Sequence, residues 1–297
     1  SAFQLKQKLS EQLGVATDCL TVGNGSNDVL ELLARVFLKP GHNTVVSQHA
    51  FVVYGLVTQS LGATLREVPC VDYQQDLDAT LAMIDDQTRI VFIANPNNPT
   101  GTWVRGDALE RFLKAVPATT LVVLDEAYVE YVDDPAYPNG LGLLDQFSNL
   151  VVTRTFSKAY GLAALRLGYA VSHPDVADLM NRIRQPFNVN SMALAAGLIA
   201  LEDPGHVAQG VAVNRQGLQV LNAGLADLSL AVIPSVGNFV CFDLGQDALP
   251  IYQALLMQGV IVRPIGVYGL PQHLRVSVGT PEENRVFLDA LGRVLTP

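Results

Sequence analysis

Positive charge is scarce in this sequence: 19 lysines and arginines stand against 28 aspartates and glutamates, a formal net charge of -9. Binding to a nucleic-acid backbone draws on clustered Lys and Arg, and no basic stripe runs along the chain, so that class of partner is excluded. Cysteine is rarer still. Cys19, Cys70 and Cys241 are odd in number and far apart, which offers neither a disulfide framework nor a zinc spacing and fits a reducing, cytoplasmic setting. Long apolar runs are lacking too: stretches such as Met192–Leu201 fall well short of the roughly 18 residues a membrane span needs. The sequence reads as soluble, without a membrane partner. Leu5, Leu9 and Leu13 at helical spacing among Lys6, Lys8 and Glu11 make the first residues unlike a secretory signal. What is present is a chain of 297 residues, 49% hydrophobic and 16% charged, long enough for one large domain with a smaller companion.

From Ser26 to Gly205, β-rich runs alternate with amphipathic helical stretches, the α/β pattern of a mainly parallel sheet covered on both faces. The predicted strands are Thr44–Ser47, Thr64–Val68, Arg89–Ala94, Leu121–Leu124, Leu150–Arg154 and Gly168–Ser172. Val29, Leu30, Leu32, Leu33, Val36 and Phe37 trace one helix, stopped by Pro40 and Gly41. Pro174 to Glu202 reads as a helical stretch, after which Asp203-Pro204-Gly205 punctuates the chain. The predicted boundary falls there, giving residues 1–205 as the large domain and 206–297 as a C-terminal α+β domain. The latter is expected to hold strands Asn238–Asp243, Val260–Arg263 and His273–Val278, with helices Ala248–Gln258 and Pro281–Val294.

Thr153-Arg-Thr-Phe-Ser-Lys158 leaves an apolar strand and is followed eight residues later by Arg166. Taken alone, a lysine at a strand end is a solvated surface charge. Here Thr155, Ser157 and Arg166 could hold a phosphate, and a nearby cation with partial burial would keep the lysine amine neutral enough to attack a carbonyl. The strand Leu121–Leu124 ends in Asp125-Glu-Ala-Tyr128. A carboxylate there suits a pyridinium nitrogen, with Tyr128 in reach of a ring phenolic oxygen; a helix cap or metal ligand is the other reading. Asn95-Pro-Asn-Asn98-Pro-Thr-Gly101 is either a plain loop or a rigid turn aiming the Asn98 amide at the same oxygen. Gly23-Asn-Gly25-Ser26-Asn27 opens the predicted helix, where capping and phosphate binding by backbone amides are both open. Phe51 and Tyr54 follow another strand; Phe51 is the candidate to stack on a ring, with core packing equally open.

In this order these motifs resemble the pyridoxal-phosphate aminotransferases of fold type I, and within them most closely the histidinol-phosphate aminotransferases, along the whole chain. Beyond the four segments above, His273-Leu-Arg275-Val-Ser-Val-Gly, Arg184-Gln-Pro-Phe-Asn188-Val-Asn and Arg263-Pro-Ile-Gly-Val-Tyr-Gly also look like that family. The resemblance implies a seven-stranded large sheet, pyridoxal 5'-phosphate held as a Schiff base by Lys158, and no metal. It implies contacts to the cofactor from Gly25, Ser26, Asn27, Phe51, Asn98, Asp125, Tyr128, Thr155, Ser157 and Arg166. For the substrate it implies Arg275 on the α-carboxylate of the amino donor, Arg263 on a distal anion, and Asn188. The implied reaction exchanges an amino group between glutamate and histidinol phosphate in a homodimer, with the family's N-terminal arm expected to be absent from the chain. Other substrates of the same fold, as in an aromatic aminotransferase or a phosphothreonine decarboxylase, share these residues. A cofactor-binding sensor domain without catalysis is the reading from another class.

Overall fold

The computed structural model describes residues 2–296. Along the chain lie β1 (Leu20–Asn24), β2 (Asn43–Ser47), β3 (Thr64–Val68), a hairpin of β4 (Cys70–Val71) and β5 (Gln74–Gln75), then β6 (Thr88–Ala94), β7 (Leu121–Asp125), β8 (Leu150–Thr155) and β9 (Leu167–Ser172). Among the described residues these build a seven-stranded sheet in the order β1-β9-β8-β7-β6-β2-β3, with the hairpin apart from it. Four neighbouring pairs are parallel, and β9 is antiparallel to both of its neighbours. Consecutive side chains leave opposite faces of a strand, and both faces here are apolar. On β6, Ile90 and Phe92 pack with Leu30, Leu33 and Tyr54. Val91 and Ile93 pack on the other face with Leu109 and Phe112. This continuous apolarity drives the β-run, and the helices supply its covers.

The helices before, between and after these strands are α1 (Phe3–Leu13), α2 (Ser26–Phe37), α3 (Val52–Ser60), α4 (Leu77–Ala82), α5 (Gly106–Ala115), α6 (Gly140–Leu143), α7 (Pro174–Ile183), α8 (Ser191–Glu202) and α9 (Pro204–Asp227). After α9 come β10 (Ala231–Ile233), β11 (Phe239–Asp243), α10 (Ala248–Met257), β12 (Arg263–Pro264), β13 (His273–Ser277) and α11 (Pro281–Leu295). These strands form an antiparallel sheet in the order β10-β11-β13-β12, covered by α9, α10 and α11 around Leu221, Phe242, Leu255, Leu274 and Phe287.

Three elements depart from expectation. Strand β1, too short and glycine-bearing to stand out, closes one edge of the large sheet against β9. The stretch Pro174–Glu202 is two helices, not one: Pro186 has no amide hydrogen to continue a helix, Phe187 takes a φ of 58°, and Asn190 caps α8 by accepting from the Ala193 amide. Of the expected strand Val260–Arg263, only Arg263 lies in a ladder, paired through Arg263 and Pro264. Val260 and Val262 are instead drawn into the core beneath α10, and Pro264, lacking an amide hydrogen, suits the sheet edge.

Parallel pairing brings the carboxyl ends of β6, β7 and β8 to one edge, and β1, antiparallel to β9, delivers Gly25 and the start of α2 to that edge as well. Packing there is tight. A Cβ on Gly168 would lie 2.3 Å from the Ser26 amide nitrogen, backbone against backbone. Gly168→Ala is therefore expected to cost about 1–3 kcal/mol of unfolding free energy as an overpacking change. A urea midpoint equal to that of the parent would contradict this packing.

Candidate active site

At this edge Asp125, the last residue of β7, is buried with both carboxylate oxygens committed. Tyr54 of α3 donates its hydroxyl to Oδ2 at 2.8 Å, and Thr153 of β8 donates to Oδ1 at 3.0 Å. Tyr54 is itself fixed by stacking on Phe92, with ring centroids 4.6 Å apart and planes 3° from parallel. Burial pushes the Asp125 carboxyl above the ordinary range, against the pull of Tyr54, Thr153, the Ala127 amide and the charge of Lys158. Lys158 lies beyond the end of β8, half-buried, with Nζ 5.1 Å from the centre of the Tyr128 ring. Burial lowers its amine pKa, the Arg275 and Arg166 charges add to the lowering, and Asp125 opposes it. Burial also raises the Tyr128 phenol, so this hydroxyl stays protonated at neutral pH and can donate.

The opposite end of the cleft is built for an anion. Helix α2 begins after Gly25, whose φ of 82° and ψ of 164° place no side chain over the first turn, and no side-chain hydrogen bond caps it. Neither Ser26 nor Asn27 is the cap. A Cβ on Gly25 would meet Arg166 Nη2 at 2.6 Å, so glycine is what lets the guanidinium approach the helix start. Arg166, with φ 59°, is held by donating to the Ala163 carbonyl at 3.0 Å and to Ser157 Oγ at 3.4 Å. The Ser157 amide in turn donates to Thr155 Oγ1 at 3.1 Å. Free helix amides, two hydroxyls and a guanidinium thus converge, the donor set that suits a phosphate. Between the ends, Phe51, Pro96, Asn98 and Ala127 line the rest of a cleft with a cavity volume of about 180 Å³.

One charged group enters from the four-stranded sheet. Arg275 of β13 donates to Asn98 Oδ1 and lies 5.0 Å over the Phe239 ring. With its oxygen occupied in this way, Asn98 leaves its amide hydrogens for the cleft. An aldehyde-bearing phosphorylated pyridine fits these groups: donors for the phosphate at α2, a carboxylate for the ring nitrogen, phenol and amide for the ring hydroxyl, and an amine beside them.

The class I and II aminotransferase family model matches residues 3–291. The chain belongs to this family. It is 57% identical over 295 residues to histidinol-phosphate aminotransferase 2 of Pseudomonas fluorescens, covering 99% of this chain and 80% of that protein. The protein of the same name from Pseudomonas aeruginosa is also 57% identical, with the same coverage. The crystal structure of histidinol-phosphate aminotransferase from Sinorhizobium meliloti in complex with pyridoxal-5'-phosphate superposes with a TM-score of 0.92 at 33% identity, over 99% of this chain and 81% of that one. The family is pyridoxal-phosphate dependent, and the fold type I architecture agrees with the two sheets described.

Of the residues singled out in the sequence of this aminotransferase, Ser26, Asn27, Phe51, Asn98, Asp125, Tyr128, Thr155, Ser157, Lys158 and Arg166 line the one cleft, with Gly25 behind Arg166. Asn188 does not. Its amide donates to the Val22 carbonyl at 3.1 Å and to Asp28 Oδ2 at 2.8 Å, which braces β1 and α2. Arg263 is exposed and sits opposite Arg275 in the β12–β13 pairing, sharing with it a surface groove outside the cofactor cleft. Sequence reasoning missed Tyr54 and Thr153 as partners of Asp125. A hydroxyl-bearing aromatic one helical turn after Phe51 was the available signal for Tyr54.

The face of β7 and β8 turned away from the cleft is also charged. Glu126 Oε2 accepts from Arg154 Nη2 at 2.7 Å and Nε at 2.9 Å, a buried ion pair. Glu130 sits nearby with Oε2 buried and unpartnered among the described residues, and burial raises its carboxyl to about 7. The unfolded chain titrates Glu near 4.3, so folding carries no penalty from this group below that pH; the penalty grows as pH rises from there to about 7 and is constant above it. Glu130→Gln is expected to raise the unfolding free energy by on the order of 2 kcal/mol at pH 8 and to leave it nearly unchanged at pH 4. Equal denaturation midpoints for variant and parent at pH 8 would remove Glu130 from the buried set.

Proposed function

We propose that this chain is a homodimeric, cytoplasmic histidinol-phosphate aminotransferase, exchanging an amino group between glutamate and imidazole-acetol phosphate to give 2-oxoglutarate and histidinol phosphate, or the reverse, in histidine biosynthesis. The observation that carries the reading is the alignment in one cleft of an anion cradle at Arg166, the buried Asp125, the amine of Lys158 and, at its mouth, Arg275. The choice of substrate is supported by the 57% identity to relatives of that name.

Pyridoxal phosphate, when bound, supplies an aldehyde that condenses with amines and a pyridine ring that takes up the electron pair left as the adjoining C–H bond breaks. The α2 amides at Ser26 and Asn27, with Thr155, Ser157 and Arg166, hold its phosphate. Asp125 keeps the proton on the ring nitrogen, and its own orientation is set by Tyr54 and Thr153, so the carboxylate cannot swing away as charge develops. Tyr128 and Asn98 donate to the ring oxygen, and Phe51 packs on the ring face. Lys158 is the amine that would hold the aldehyde between turnovers. When not so engaged, Nζ would carry a proton between the amine-bearing carbon of the substrate and the former aldehyde carbon on the other side of the amine nitrogen, a task that needs a neutral amine and is served by its lowered pKa.

Arg275 grips the donor carboxylate, and Arg263, its neighbour across β12–β13, takes the distal anion: the side-chain carboxylate of glutamate in one half-reaction and a phosphate in the other. In this reading residues 1–205 carry the cofactor and 206–297 bring the two arginines. Half-reaction spectra of the cofactor-loaded protein test it. Glutamate and histidinol phosphate are expected to convert the cofactor at least about tenfold more efficiently than phenylalanine, which lacks the distal anion, a gap of the size one well-placed ionic contact supplies. Faster conversion by phenylalanine would reassign the substrate. Lys158→Ala is expected to abolish the aldehyde-bound absorbance band and to lower turnover by about a thousandfold or more, whereas a spectrum like the parent's would refute the lysine's role. Arg263→Ala is expected to raise KM for glutamate and histidinol phosphate together; if both constants stay at the parent value, the arginine has no part in either.

A further inference from the structure

The hairpin β4–β5 turns through Asp72 and Tyr73, both with positive φ, 49° and 61°. That region is unfavourable for a side chain as large as tyrosine and is normally left to glycine or asparagine. A tyrosine kept there points to a side chain held by its surroundings. Its ring lies between two histidines. The hydroxyl is 3.4 Å from His273 Nε2, the ring stands edge-on to His273 with centroids 5.7 Å apart, and His49 lies 6.3 Å away on the other side. His273 is buried, and its Nδ1 has no partner among the described residues, so Tyr73 is the polar contact its ring makes there.

His273 opens β13 two residues before Arg275, and side chains two apart on a strand share a face. The other end of the hairpin contact reaches the loop that receives Arg275. Thr102 Oγ1 donates to the Tyr73 carbonyl at 2.9 Å, Thr100 and Thr102 hydroxyls are 2.8 Å apart, and Asn97 Nδ2 donates both to Thr100 Oγ1 at 2.8 Å and to the His49 carbonyl at 2.9 Å. His49 Nδ1 donates to the Tyr268 carbonyl at 2.6 Å, a second tie from the large sheet to the C-terminal one. Asn98, between Asn97 and Thr100, accepts from Arg275. The turn residue therefore touches both halves of the Arg275–Asn98 contact, the strand that carries the arginine and the loop that carries the amide.

We infer that Tyr73 and His273 form a positioning pair that fixes the seat of Arg275 over the cleft, and so tune the grip on the donor carboxylate without touching substrate. The inference rests on the reading of Arg275 as the carboxylate anchor. The experiment is a double-mutant cycle on the glutamate half-reaction of the cofactor-loaded protein, measuring the apparent dissociation constant and the limiting rate separately. Tyr73→Phe, which keeps the ring and removes the hydroxyl, is expected to weaken glutamate binding about fivefold, the worth of one lost hydrogen bond, with the limiting rate within about twofold. His273→Gln is expected to do the same. In an Arg275→Gln background, where the anchor is gone, Tyr73→Phe is expected to weaken binding by less than about twofold. A fivefold loss in both backgrounds would mean a general structural effect and overturn the pairing. If Arg275→Gln weakens binding but neither Tyr73→Phe nor His273→Gln does, the positioning role falls and the anchor stands. Should Arg275→Gln itself leave glutamate binding unchanged, the anchor reading falls and the inference falls with it.

Discussion

A carboxylate with no access to water must find all of its hydrogen bonds in the protein, and the arrangement around Asp125 follows from that need. Its two oxygens draw a tyrosine from α3, a threonine from β8 and the amide of Ala127, three groups from separate segments. Satisfying Asp125 therefore pins α3 and β8 to the end of β7. Phe51, on the same stretch as Tyr54, and Lys158, on the same stretch as Thr153, are placed by that requirement. Burial still raises the carboxyl, which shows that three donors compensate the desolvation only in part. A cation placed against Asp125 would add to that compensation, and this is the setting the proposed reading gives the ring nitrogen.

Lys158 has the converse problem. An amine must be neutral to attack a carbonyl or accept a proton, and the cleft withdraws water from it while setting two guanidinium groups, Arg275 and Arg166, within electrostatic reach. Those arginines serve ligand anions in the proposed reading, so the same charges that bind also activate. In a chain with only 16% charged residues, this double use lets a small number of ionic groups carry binding and proton transfer together. It also makes the lysine responsive to occupancy, because an anion against either arginine relaxes the lowering and returns proton affinity to Nζ.

Features governed by short-range physics were legible in the sequence. Apolar strands ending in Asp125 or leading to Lys158, the proline-fixed turn before Gly101 and the glycine before α2 each announce themselves within a few residues, and parallel pairing then gathers them. What escaped depends on partners far apart in the chain. Tyr54 reaches Asp125 across 71 positions and Asn188 reaches Asp28 across 160, so neither role has a local signature. Asn188 lies in a family-like segment, and the fold uses its amide to keep β1 and α2 together. The strand expected at Val260–Arg263 failed because apolar residues there serve the core directly, and alternation alone does not distinguish that from a ladder.

The alternation of β7 and β8 explains why acid and base can crowd this edge without neutralising one another. Asp125 lines the cleft and accepts from Thr153, while the residue after each, Glu126 and Arg154, closes an ion pair on the other face. A one-residue slip of β8 against β7 would bring Arg154 towards Asp125 and leave Glu126 buried without its cation. Breaking a buried pair in that way costs about 3–5 kcal/mol, and losing the donors of Asp125 adds to it. The Glu126–Arg154 pair need not raise the net stability of the fold to matter. It penalises the wrong register, and the right register is what keeps the guanidinium off Asp125.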